Sequence, residues 1–222
     1  MHELAPEDFL PASPPLPLAG DEIHLWFFPQ WQVLSEAASS LPLRTLLAGY
    51  LDRDVAAVRI ERAEHGKPHV AGDATLEFNL SHSGGAMLVA LSRAQPLGVD
   101  MEMPRRSRPV LALARRWFDP AEAAALEALS EADQQAAFLR LWSCKEAVLK
   151  ALGRGIGFGL DQLAFDMGTA GDATYLRRLD GDPTRALWHI VRLRPTAGCV
   201  GALAWRGPAR AIHAWVASPP AA

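Results

Sequence analysis

The chain has 222 residues, 50% of them apolar and 21% charged, with a net charge of −3. That composition is ordinary for one large domain or two lobes of roughly 100 residues, and it supplies no electrostatic reason to expect nucleic acid as the ligand. Cys144 and Cys199 are the only cysteines, too few for a disulfide framework or a thiolate metal site, so a reducing, cytoplasmic location is expected.

The first twenty residues are proline-rich and lack a basic stretch followed by an apolar one, which does not read as a secretion signal. No apolar run reaches bilayer length, so no membrane partner is expected. Pro6 to Pro17 reads as an extended, surface-hugging arm. Glu22 to Phe28 suits a strand stopped by Pro29. Leu34 to Leu51 reads as a helix broken or begun at Pro42, and Val55 to Glu61 as a strand with Arg62 at its exit. A turn is expected at His65-Gly66-Lys67-Pro68. Two short apolar runs, Phe78–Ser83 and Ala86–Ser92, flank Gly84-Gly85, the pattern of a hairpin.

The next strand, Pro96 to Glu102, alternates. Val99 and Met101 face one side, while Asp100 and Glu102 face the other with their carboxylates about 7 Å apart. Like charges held that close and partly buried repel unless a cation lies between them. Pro104 and Pro109 bracket a connector containing Arg105, Arg106 and Arg108, which reads as the boundary between lobes 1–104 and 105–222.

Two helices are expected over Leu111–Phe118 and Pro120–Leu129, with Asp119 as N-cap and Pro120 at the first helical position. Glu131 to Leu152 contains neither Gly nor Pro and reads as a long helix. On it Trp142, Glu146 and Lys150 share one face, and Phe138, Leu141, Val148, Leu149 and Leu152 supply the buried side. Taken alone, Glu146 and Lys150 would be a surface pair worth a few tenths of a kcal/mol. Glycines 153, 155, 157 and 159 follow a helix and lack the Gly-Lys-Ser/Thr ending of a phosphate loop. The remaining short apolar runs, ending with Ala211–Ala217, suggest an antiparallel meander.

Asp100, Glu102 and Glu146 thus lie on a strand and a helix that can pack face to face. Oxygen ligands of this kind suit Mg²⁺ rather than zinc, and none of the seven histidines stands in a metal-ligand cluster. A magnesium ion between acids and a polyphosphate, with basic groups for phosphate oxygens, is the apparatus of phosphoryl transfer. The basic candidates are Arg62, Lys67 and Lys150, with Ser81 and His82 as hydrogen-bond donors.

Gly66-Lys67-Pro68, Phe78-Asn79-Leu80-Ser81-His82-Ser83, Gly98-Val99-Asp100-Met101-Glu102 and Trp142-x-x-Lys145-Glu146-Ala147-x-x-Lys150 occur in that order. The set resembles the 4′-phosphopantetheinyl transferases of the surfactin type, from about Arg62 to Leu160. The resemblance implies transfer of the phosphopantetheine arm of coenzyme A to a serine of an apo carrier protein, releasing 3′,5′-adenosine bisphosphate. It makes Asp100, Glu102 and Glu146 the Mg²⁺ ligands, with Asp100 also beside the coenzyme. Arg62, Lys67, Asn79, Ser81 and His82 would hold the adenosine 3′-phosphate end, and Lys150 the pyrophosphate. Glu146 or a metal-bound water would be the base. The implied fold is α+β, a monomer of two similar lobes about a pseudo-twofold axis, with coenzyme A in the cleft.

The carrier would dock beside that cleft on the second lobe, where Trp117 and Phe118 are candidates for an exposed apolar contact. One departure is that Pro29 to Ser40 is short and contains no Lys or Arg, where relatives carry a longer basic segment; Arg44 is the candidate substitute. The alternative reading is a non-catalytic module that binds coenzyme A or carrier proteins.

Overall fold

The computed structural model describes residues 1–12, 17–30, 36–103, 109–154, 158–168, 171–181 and 187–217, without the side chains of 36–40 and 174. Pro104, Arg105, Arg106, Arg108, Gly155 and Gly157 lie outside the described residues, as do residues 31–35 of the short segment.

The chain is α+β. Its elements are β1 (Glu3–Leu4), β2 (Phe9–Pro11), β3 (Glu22–Phe28), α1 (Glu36–Leu51), β4 (Ile60–Arg62), β5 (Pro68–Val70), β6 (Leu76–Ser83), β7 (Ala86–Arg93) and β8 (Leu97–Glu102), followed by α2 (Val110–Trp117), α3 (Pro120–Glu127), α4 (Glu131–Ala151), β9 (Leu163–Met167), β10 (Ala173–Leu179), β11 (Trp188–Leu193), β12 (Val200–Arg206) and β13 (Ala211–Val216). A four-stranded sheet has the order β1-β11-β12-β8, and a five-stranded sheet the order β2-β13-β3-β7-β6.

The two sheets pack face to face. Ile23, Leu25, Phe27, Leu88 and Ala90 meet Leu97, Val99, Met101, Leu203 and Trp205 in one core. The outer face of the five-stranded sheet, with Trp26, Phe78, Met87, Val89 and Leu91, is covered by Leu43, Leu46 and Leu47 of α1. The outer side of the four-stranded sheet is covered by α4, which packs with α2, α3, β9 and β10 over Ala202 and Ala204. β7 is apolar on both sides because it is buried on both, whereas β8 alternates because one side meets the sheet core and the other faces α4.

The β6–β7 hairpin turns at Gly84 and Gly85, with φ of 61° and 81°. Two successive positive φ values make the type I′ geometry, whose twist matches the strands and which glycine adopts without strain. Asp119 caps α3 as expected, accepting from Ala121 N at 2.9 Å, while Glu122 reaches back to Asp119 N at 3.1 Å.

Four expectations are corrected. The terminal strands do not continue an antiparallel meander: β13 inserts parallel to β3 in the five-stranded sheet, and β12 pairs antiparallel with β8. The N-terminal arm is more than a surface strap, since β1 pairs with β11 and β2 with β13, adding an edge strand to each sheet. Residues 55–57 form a 3-10 turn, and the strand there is confined to Ile60–Arg62. The α1 helix runs on through Pro42.

Beneath α1 lies a buried polar chain. His24 is 1% exposed; its Nδ1 lies 2.7 Å from the Tyr50 hydroxyl and its Nε2 3.3 Å from Glu22. Trp26 Nε1 donates to the same hydroxyl at 2.8 Å. With Nε2 protonated toward Glu22, Nδ1 accepts the Tyr50 proton and the groups are mutually satisfied. Burial holds His24 below its ordinary pKa, with Glu22 opposing and His213 assisting. The folded state therefore disfavours the extra proton that the unfolded chain takes up near pH 6.5. This contribution is intact above that value and is lost as the pH falls through it toward the lower folded pKa. Urea midpoints are expected to drop between pH 7.5 and 5.5, and to drop less in His24→Gln; an equal drop in both proteins would assign the effect elsewhere.

Candidate active site

Gly98 sets the geometry. A Cβ there would lie 2.1 Å from the Ala147 carbonyl oxygen and 2.4 Å from Ala151 N. Its φ is not positive, so glycine is required by the close approach of α4 to β8 rather than by the backbone. This contact lays the last two turns of α4 across the strand and sets Glu146 and Lys150 against Asp100. Gly98→Ala pushes helix backbone off the strand. It is expected to cost about 3 kcal/mol, the upper end of ordinary overpacking, and to lower activity. A urea midpoint unchanged from wild type would contradict it.

Asp100 is 5% and Glu146 7% exposed. Asp100 Oδ1 accepts from Ser81 Oγ at 2.9 Å and from Lys150 Nζ at 2.8 Å. Among the described residues its buried Oδ2 has no hydrogen-bond partner, and neither has Glu146 Oε1. Two bare carboxylate oxygens in a buried seam are costly unless a proton or cation meets them. Burial, reinforced by Asp100 and Glu102 and opposed by Lys150, pushes the Glu146 carboxyl up to about 7. Half-buried Glu102 lies on the same strand, with Ser83 Oγ 3.4 Å from its Oε2.

Two ammonium groups lie along β8. Lys67 Nζ donates to Leu97 O at 3.2 Å and Lys150 Nζ to Val99 O at 3.1 Å. Burial lowers the Lys67 pKa, opposed by Glu77 at 3.8 Å.

The expected residues divide accordingly. Asn79, Ser81, Asp100, Glu102, Glu146 and Lys150 meet in the seam between β6, β8 and α4, while Lys67 reaches the far end of β8. Arg62 is exposed and donates to Gly66 O at 3.0 Å; His82 is exposed on the hairpin. The Arg44 guanidinium is engaged by Val55 O at 2.7 Å. Among the described residues, no three His, Cys, Asp or Glu side chains are gathered as a ready metal cluster. The present cation at Asp100 is the Lys150 ammonium. The donor set nevertheless fits a hard divalent ion: all oxygen, mutually repelling, with two bare buried oxygens.

Phe118 is not an exposed contact: it is 4% exposed and stacks on Phe138 at 5.1 Å, whereas Trp117 is 37% exposed beneath the Arg116 guanidinium. Three roles were missed by reading the sequence. Gly98 and Lys145 stood in the motifs without assigned tasks, and Ser83 extended the period-two pattern of Asn79 and Ser81, the signal that would have found it.

Residues 96–204 match the model of the 4′-phosphopantetheinyl transferase superfamily. The 4′-phosphopantetheinyl transferase HetI of Nostoc sp. is 33% identical, across 90% of this chain and 94% of that protein. Sfp, the 4′-phosphopantetheinyl transferase of Bacillus subtilis, is 28% identical across 64% of this chain and 66% of its own length. The 4′-phosphopantetheinyl transferase AcpT of Salmonella typhimurium is 41% identical across 40% and 47%.

Proposed function

The chain belongs to the 4′-phosphopantetheinyl transferase superfamily, and from that premise we propose that the β8–α4 seam passes the phosphopantetheine arm of coenzyme A to a serine hydroxyl of an apo carrier protein, leaving 3′,5′-adenosine bisphosphate. The observation that carries the site assignment is the pair of bare buried oxygens, Asp100 Oδ2 and Glu146 Oε1, beside Lys150. Asp100, Glu102 and Glu146 would hold Mg²⁺, which when bound supplies charge neutralisation for the pyrophosphate. Lys150 and Lys67, on alternate carbonyls of β8, are spaced along the strand as a polyphosphate needs.

Glu146 is the group suited to take the serine proton. In the metal-free seam its carboxyl is pushed up to about 7; with a cation on Asp100 and Glu102 it would be ionised and able to accept that proton. Arg62, His82 and Asn79 are assigned to the coenzyme's 3′-phosphate end, while Ser81 Oγ gives its one proton to Asp100. The cavity of about 460 Å³ lined by Pro68, His69, Gly72, Leu76 and Phe78 offers room for its nucleoside. Trp117, exposed on α2, is the apolar contact offered to the carrier. Residues 1–104 and 105–222 are assigned as two similar halves of a cytoplasmic monomer that exchange strands, β1 and β8 pairing with the second half and β13 with the first.

The test is intact mass spectrometry of several apo carrier domains incubated with the protein, coenzyme A and Mg²⁺. A gain of one phosphopantetheine per carrier is expected. Coenzyme A binding with no gain on any carrier would favour the non-catalytic module instead.

A further inference from the structure

β6 and β8 are edge strands of different sheets, so the seam between them is not held by a backbone ladder. Side chains at every second residue of β6 bridge it. Asn79 Oδ1 accepts from Val99 N at 2.9 Å, and Ser81 Oγ donates to Asp100 Oδ1 at 2.9 Å. Ser83 Oγ accepts from Met103 N at 3.1 Å, leaving its own proton for Glu102 Oε2 at 3.4 Å. Each rung matches the pleat: 79, 81 and 83 point to one side of β6, and meet β8 in register from 99 to 103.

The consequence is selective. Ser81 and Lys150 together saturate Asp100 Oδ1, so the carboxylate is held with Oδ2 presented bare. A hydroxyl has one proton to give, and Ser83, already accepting from Met103 N, orients that proton toward Glu102. Asn79 fixes the β8 backbone and touches neither acid.

We propose that Ser81 and Ser83 are positioning residues that set the side-chain orientations of Asp100 and Glu102 for a divalent cation, and that this is their role in place of direct contact with the coenzyme. The inference rests on the transferase reading above. Removing hydroxyl partners of metal-ligating carboxylates typically weakens metal binding by 10- to 100-fold.

The probe is Mn²⁺, titrated by electron paramagnetic resonance against the full chain with coenzyme A present and no carrier, so that no turnover occurs. Ser83→Ala and Ser81→Ala are expected to weaken Mn²⁺ about 10-fold, with the KM for coenzyme A at saturating Mg²⁺ within about twofold of wild type. Ser83→Thr, which keeps the hydroxyl, is expected to restore the affinity. Thermal midpoints separate this from a structural role, which would move the midpoint and leave Mn²⁺ affinity of the folded protein intact. Unchanged Mn²⁺ affinity in both alanine variants overturns the proposal. So does a raised coenzyme KM with unchanged Mn²⁺ affinity, which would hand the hydroxyls to the coenzyme. Wild-type protein that binds Mn²⁺ but modifies no carrier would remove the transferase reading alone, because the comparison of Mn²⁺ affinities still decides the positioning role.

Discussion

Glu146→Gln is expected to reduce transfer by about 10³-fold, the scale of a lost general base, while making the metal-free protein more stable at alkaline pH. The first effect follows from removing both a bare ligand oxygen and the proton acceptor of the seam. The second follows from linkage. Glu146 has a folded pKa of about 7 against an ordinary value of 4.5. The folded chain therefore keeps a proton that the unfolded chain has released. That contribution is fully present below pH 4.5 and is lost as the pH rises through about 7.

A shift of this size corresponds to about 3 kcal/mol, and glutamine, neutral throughout, does not incur it. Melting of wild type and variant, without metal or coenzyme, should nearly coincide at pH 5 and separate at pH 8 with the variant higher. Retained transfer, or equal separation at both pH values, would refute the assignment. Lost transfer together with the higher melting of the variant at pH 8 would mark the site as one where activity is held at the expense of stability.

The second large effect concerns Lys145, the residue before Glu146. Its side chain is 0% exposed, as is that of Glu122, 2.7 Å away. The ammonium also donates to Leu160 O at 2.8 Å and Leu163 O at 2.6 Å, under the Phe118 ring at 5.0 Å. Glu122 in turn accepts from Phe165 N at 2.7 Å and from Asp119 N. Burial pushes both members toward neutrality, raising Glu122 and lowering Lys145. Their mutual charge and these satisfied partners oppose it, so the pair is held ionised. Glu122→Ala strands a buried ammonium and is expected to cost about 3–5 kcal/mol.

The double variant Glu122→Leu, Lys145→Met is expected to recover much of that loss, since a packed apolar pair avoids desolvation altogether. Urea denaturation of the two variants checks both statements. A loss below about 1 kcal/mol for the single variant would show that the ammonium has found water. The pair ties α4 to α3 and β9, and so holds the helix from which Glu146 projects.

Much of this was legible in the letters. The Gly84-Gly85 hairpin, the Asp119-Pro120 helix start and the long Gly- and Pro-free helix are local signals, decided by φ preference, capping and propensity within a few residues. The alternation in β8 was legible for the same reason: a strand between an apolar core and a polar seam writes both surfaces into successive residues. The order of the motifs was enough to suggest Asp100, Glu102, Glu146 and Lys150 as a set.

Lys145 and Glu146 show where that ends. Both are charged, adjacent and on the buried C-terminal half of α4, yet one is sealed in the core of α2, α3 and α4 while the other faces the seam. A helix turns about 100° per residue, and which direction is cleft depends on where Gly98 lets β8 approach. The same holds for the terminal strands. β1, β2 and β13 pair with strands far along the chain, Glu3 with Arg192, Phe9 with Ala214 and Ala211 with Glu22, and no local signal specifies partners at that separation. Local conformation and the chemical inventory were thus determined by the sequence itself. The pairing of distant edges, the bare oxygens and the raised Glu146 pKa came only with tertiary packing, because burial and Coulomb repulsion act between groups that neighbourhood in the chain does not bring together.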